Sequence, residues 1–242
     1  MWRDEKVSVV LLTRSEKDTI RQVINNFFAT GYVDEVVVVN NNAVEGTDDE
    51  IKKTRARCVH EEKQGYGYAS QRGFKEAGGE IVIISEPDGT FEPRDVIKLL
   101  AYSDDFDAVF GTRTSSIMIW SGANMGRFLR LGNIAVAKMM EFLFNTAMLT
   151  DVGCTMKLFK KKDLKRMEGK FTVGGAHFSP ELMLLTILNG IRFIEVPVNY
   201  KKRVGRSTIT GDKIKAFFLG LTMIGLILKY FFLVLFKRID RK

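Results

Sequence analysis

Three apolar, β-branched runs constrain this chain most: residues 7–12 (VSVVLL), 35–39 (EVVVV) and 81–85 (IVIIS). They lack the in–out alternation of a half-exposed strand, so each run must be buried on both faces, as in a parallel sheet covered by helices. Helical patterns lie between them. Over residues 16–29, Ile20, Val23, Ile24, Phe27 and Phe28 recur at helical spacing, with Ser15 placed to cap the start and Gly31 to break the end. The alternation continues with a helix over residues 48–55, a short strand at 58–60, and a helix opening at Gly65-Tyr66-Gly67-Tyr68. A helix at 96–102 and a strand at 108–111 follow. This order predicts an α/β fold: a Rossmann-like three-layer sandwich with a mostly parallel central sheet. Ligands in such sheets sit at the carboxyl ends of the strands, where this chain carries polar, glycine-rich loops.

Beyond residue 111 the pattern changes. Residues 134–149 are apolar apart mainly from Lys138, Glu141 and Asn145, which predicts a largely buried or interfacial helix. A compact segment DVGCTMKLFKKK at 151–162 precedes an expected helix at 180–188 and a strand at 191–200 that contains Pro197. The tail at 216–236 has Lys229 as its one charge. At 1.5 Å per residue it would span about 31 Å, enough for one bilayer crossing. It could also lie flat or pack in a homo-oligomer; because a segment this apolar would leave an unusually exposed patch on a soluble domain, membrane association is the expectation. The expected division is a catalytic domain at 1–212 and a hydrophobic helix with a basic tail at 213–242.

Composition narrows the partners. Cys58 and Cys154 are too few for a disulfide framework, and the start of the chain has no signal-peptide pattern. The net charge of +8 is uneven: residues 1–156 carry 18 basic and 23 acidic side chains, residues 157–242 carry 19 and 6. The basic half could face nucleic acid, an anionic membrane or a phosphorylated substrate. No RNA-recognition signature accompanies it, so nucleic acid is set aside. His60 and His177 read as structural or exposed, and Glu181 as a helix-start carboxylate.

The first chemical signal is Glu86-Pro87-Asp88 directly after a buried strand. Two carboxylates so spaced can share a hard divalent ion, although an acidic turn alone would look the same. Six further segments give the pattern context: VVLLTRSE at 9–16, VVNNNAVEGT at 38–47, KQGYGYA at 63–69, GTR at 111–113, DVGCTMKLF at 151–159 and EVPVNYKKRVGRS at 195–207. In this order they resemble the motifs of family 2 glycosyltransferases, and the last two resemble those of dolichyl-phosphate mannose or glucose synthases. The resemblance spans roughly residues 7–208.

That resemblance implies a GT-A fold and inverting transfer of a hexose from UDP or GDP to a polyprenyl phosphate, on the cytoplasmic face of a membrane. It implies that Glu86 and Asp88 hold Mg²⁺ or Mn²⁺, and that Thr13, Glu16, Asn40, Lys63, Gly65 and Gly67 contact the nucleotide sugar. Asp151 would lie with Asp88 at the reacting centre. Arg113, Arg127, Lys202, Arg203 and Arg206 are the implied acceptor-phosphate cations, since guanidinium groups pair with phosphate. Several positions depart from the family: Asn40 and Glu86 stand where it has Asp, and Thr90 where it often has Gln. Two alternatives stay open at this point. The acceptor could be a sugar hydroxyl or another lipid, with Asp151 as base, or the protein could be a non-catalytic membrane adaptor that binds nucleotide sugars.

Overall fold

The protein is described here from a computed structural model that covers residues 1–205, 212–237 and 239; Arg206 lies outside the described residues. The strands are β1 (Val7–Thr13), β2 (Glu35–Asn40), β3 (Arg57–His60), β4 (Ile81–Ser85), β5 (Ala108–Thr112), β6 (Lys157–Lys160) and β7 (Phe193–Pro197). They form one sheet in the order β3-β2-β1-β4-β6-β5-β7. All neighbours pair in parallel except β6, which runs antiparallel to both β4 and β5. The helices are α1 (Lys17–Ala29), α2 (Thr47–Lys52), α3 (Tyr66–Glu76), α4 (Val96–Tyr102), α5 (Arg127–Phe144), α6 (Lys161–Met167), α7 (Phe178–Leu188) and α8 (Lys213–Leu235). The expected three-layer α/β sandwich is what forms.

Burial on both faces explains the unbroken apolar runs. In β1, Val7, Val9 and Leu11 enter one core with Ile20, Ile24 and Phe27 of α1 and Leu99 of α4. Val10 points to the opposite core, with Phe74 of α3 and a large group from α5, α7 and α8. Side chains two apart share a face, so both sets must be apolar.

Some elements differ from expectation. Both β6 and α6 lie within or just beyond the segment read only as compact, because a four-residue strand gives too short a pattern to register. Helix α5 begins at Arg127 rather than near 134 and stops at Phe144, where Asn145 turns left-handed (φ 41°). Ser15 does not cap α1; Glu16 takes the cap position. The strand expected over 191–200 is confined to Phe193–Pro197. Helix α8 is capped by Asp212, whose side chain accepts the Ile214 and Lys215 amides at 2.8 and 3.3 Å. Its most apolar 18-residue stretch has a mean hydropathy of 2.2, and the helix buries one stripe, Met223, Leu226, Ile227 and Tyr230, against α5 and α7. Phe217, Phe218, Leu221 and Phe232 remain exposed.

Candidate active site

Register brings the polar strand ends level. Thr13 pairs with Asn40 across β1 and β2, and Leu11 with Ser85 across β1 and β4, so the Glu86–Asp88 turn emerges beside Thr13. Glu16 folds back over this edge: its Oε2 accepts the Arg14 and Ser15 amides at 2.8 Å each and the Thr13 hydroxyl at 3.3 Å. Its Oε1 accepts Arg203 Nη2 at 3.3 Å, and the same nitrogen lies 3.1 Å from Asp88 Oδ2. Backbone bonds hold the basic segment against the turn, from Lys201 N to the Thr90 carbonyl (2.7 Å) and from Val204 N to the Asp88 carbonyl (3.1 Å). Thr13, Glu16, Asp88 and Arg203 therefore form one cluster. Arg203, expected on the acceptor phosphate, is placed on these two carboxylates.

Asp88 is fully buried. Its Oδ1 accepts the Thr90 amide at 2.9 Å and the Thr90 hydroxyl at 2.6 Å. Its Oδ2 accepts no hydrogen bond and has the Arg203 ion contact as its compensation. Burial, reinforced by the Asp88 charge, pushes the Glu86 carboxyl up to about 8. Two neighbouring carboxylates, one with a buried oxygen that accepts no hydrogen bond, fit a hard divalent cation. Glu86 and Asp88 are the residues that would hold it.

The loops beside this turn are tied together by an asparagine that sequence reasoning passed over. Asn41 Nδ2 donates to the carbonyls of Glu61 (2.8 Å) and Lys63 (2.9 Å), and its Oδ1 accepts the Gly65 amide and Gln64 Nε2, both at 2.9 Å. The signal available was its place as the second Asn of VVNNN, where the family motif has its second Asp. Asn40 donates to Asp48 Oδ1 at 2.6 Å and accepts the Ala43 amide at 2.7 Å; Asp48 also meets His60 Nε2 at 3.0 Å. Lys63 is exposed, its Nζ 5.7 Å from the centre of the Tyr68 ring. Gly65 (φ 153°) and Gly67 open α3.

A second cluster is built around Asp151. Asp151 is fully buried, and Arg113 grips it with Nε and Nη2 at 2.9 Å each, while the Arg113 amide adds a third bond at 2.9 Å. Burial opposes the Asp151 charge, but the Arg113 guanidinium and its hydrogen bonds outweigh it and hold the carboxyl below its usual range. Glu195 holds the loop that carries Asp151: it accepts the Thr150 amide and hydroxyl at 2.7 Å each and the Asp151 amide at 3.1 Å. Burial pushes the Glu195 carboxyl up. The Tyr200 ring lies 5.1 Å from the Arg113 guanidinium. Arg113, expected on the acceptor phosphate, thus has its fork on Asp151. Arg127 and Lys202 are exposed, Arg127 at the start of α5 and Lys202 against Gly122.

The geometry agrees with three comparisons. The model of glycosyl transferase family 2 matches residues 8–167. A dolichyl-phosphate hexose transferase of Haloferax volcanii is 28% identical over 207 residues, covering 85% of this chain and 87% of that protein. A low-salt glycan biosynthesis hexosyltransferase of the same organism is 24% identical over 208 residues, 84% of this chain and 49% of that one. Glucosyl-3-phosphoglycerate synthase from Mycobacterium tuberculosis, solved with Mn²⁺, UDP and phosphoglyceric acid, superposes with a TM-score of 0.73 at 18% identity. That match covers 94% of this chain and 79% of the synthase. The fold is accordingly of the GT-A type, and the chain belongs to glycosyl transferase family 2.

Proposed function

We propose that this glycosyltransferase moves a hexose, with inversion, from a UDP- or GDP-linked donor to a polyprenyl phosphate at a membrane. One observation carries the choice of acceptor. A hydroxyl acceptor needs a base, and Asp151 is a poor one: it is fully buried, both its oxygens are held by Arg113, and its carboxyl is held low. A lipid phosphate needs none, because its second pKa near 6 leaves it anionic at pH 7. The dolichyl-phosphate hexose transferase relative supports the same acceptor.

In this reading Thr13, Glu16, Asn40, Lys63, Gly65 and Gly67 receive the nucleotide sugar, with Asn41 holding their loops in place. Mg²⁺ or Mn²⁺ on Glu86 and Asp88 would neutralise charge on the departing diphosphate. A phosphate oxygen of the acceptor attacks the anomeric carbon, and the bond to the nucleoside diphosphate breaks with its electron pair leaving on that group. Arg127 and Lys202, with Arg206 from outside the described residues, orient the acceptor. Arg113 acts through Asp151, and Arg203 steadies the donor-side carboxylates.

Exposed apolar side chains are available to the lipid. Ile117, Trp120, Phe128 and Leu131 are exposed, as are Ile214 and Phe217 near the start of α8. Arg127 and Arg130 lie among them in sequence, a mixture suited to an anionic lipid surface. The catalytic domain would then face the cytoplasm, where nucleotide sugars are supplied. The test offers the purified chain polyprenyl phosphate and the matching polyprenol side by side, with each common nucleotide hexose and Mn²⁺. Transfer to the phosphate and none to the alcohol is expected; transfer to the alcohol would overturn the acceptor assignment.

A further inference from the structure

A buried carboxylate outside both clusters joins the apolar helix to the loop read as the donor loop. Glu181, on α7, is fully buried. Its Oε1 accepts the Thr172 amide at 2.9 Å, the Thr172 hydroxyl at 2.5 Å and the Tyr230 hydroxyl of α8 at 2.9 Å; its Oε2 accepts the Val173 amide at 2.9 Å. Four donors satisfy a buried carboxylate, and losing one would leave its charge undercompensated.

The segment so held is the support of the glycine-rich loop. The Gly174 carbonyl accepts the Gly67 amide at 2.8 Å and the Tyr68 amide at 3.3 Å, and Gln71 Nε2 reaches the Val173 carbonyl at 3.4 Å. Packing here leaves no space for a side chain. A Cβ at Gly65 would collide with the Gly174 carbonyl, one at Gly67 with the Val173 carbonyl, and one at Gly174 with the Tyr68 ring. Where residues 172–174 go, Gly65–Tyr68 must follow. At the other end, Tyr230 sits in the buried stripe of α8 with Met223, Leu226 and Ile227.

We propose that Glu181 is a positioning residue for donor binding, and that its bond to Tyr230 makes seating of the apolar helix a condition for a correctly placed donor loop. The inference rests on reading residues 63–67 as the donor loop. If Glu181 served only to hold the fold together, its loss would lower stability and affect donor and acceptor alike. A positioning role predicts a selective effect on the nucleotide.

Tyr230→Phe removes one hydroxyl and keeps the ring packing. Calorimetry on the full-length chain with UDP and with GDP, each with Mn²⁺, gives the direct readout, and steady-state kinetics give separate donor and acceptor KM values. Tyr230→Phe should weaken nucleotide binding and raise donor KM three- to tenfold, with acceptor KM within twofold of the parent. Glu181→Gln should do the same more strongly, and if it does not fold, Tyr230→Phe and Thr172→Val carry the test. Wild-type protein that binds neither nucleotide would remove the donor-loop reading itself. Nucleotide binding that is intact in the wild type and unchanged in Tyr230→Phe would overturn this proposal alone, and so would equal losses for donor and acceptor.

Discussion

At the level of single residues, the Arg113–Asp151 pair decides most. Removing one member of a buried pair strands the other, so Asp151→Asn should destabilise the protein by about 3–5 kcal/mol, read from the denaturant midpoint. Because the Asp151 carboxyl is held low when folded, its stabilisation is present above the ordinary carboxylate pKa and is lost as pH falls through the lowered value. The pH profile of kcat/KM should accordingly show no limb from Asp151 between pH 5 and 8. An ionisation there that disappears in Asp151→Asn would make it the base after all. Asp88→Asn should abolish Mn²⁺-dependent nucleotide binding while the protein still folds, as measured by calorimetry beside circular dichroism. The carboxylates Glu86, Asp88 and Asp151 stand out as candidates because motif order survives in the sequence. Asn41 does not, since three consecutive asparagines look alike until the backbone shows which one spans two loops.

Among the elements, α3 owes its start to close approach. Gly→Ala within a helix ordinarily gains about 1 kcal/mol, yet Gly67→Ala should cost stability and at least tenfold in donor affinity, because the new methyl meets the Val173 carbonyl. Isothermal titration and thermal melts would check both. In α8, Phe217→Ser with Phe218→Ser alters exposed rings. The double variant should bind anionic vesicles more weakly in co-sedimentation with little change in Tm. The buried parallel strands were readable because burial on both faces writes an unbroken apolar run. The four residues of β6 and the Arg- and Gly-containing first half of α5 write no such pattern. Their positions follow from packing between β4 and β5 and alongside α8.

For the molecule as a whole, the uneven charge has a more divided meaning than the sequence suggested. Part of the basic half is internal: Lys157 is buried, its Nζ on Ser179 Oγ at 2.9 Å, and Arg203 serves Glu16 and Asp88. Arg203→Gln should therefore weaken Mn²⁺ and nucleotide binding, contrary to the purely acceptor-side role its position in the basic motif suggested, whereas Lys202→Gln should raise acceptor KM alone. In the proposed reading, the exposed cations and apolar side chains remain for the lipid. The central claim, transfer of a hexose to a lipid phosphate, is tested most directly by phosphorus NMR and mass spectrometry of the product formed by the purified full-length chain with polyprenyl phosphate, Mn²⁺ and each nucleotide hexose in turn. The account predicts that one donor gives a lipid phosphodiester heavier by one hexose residue, and that the product is absent with EDTA. Failure of every donor to give that product, or a hexose attached anywhere but the phosphate, would contradict it.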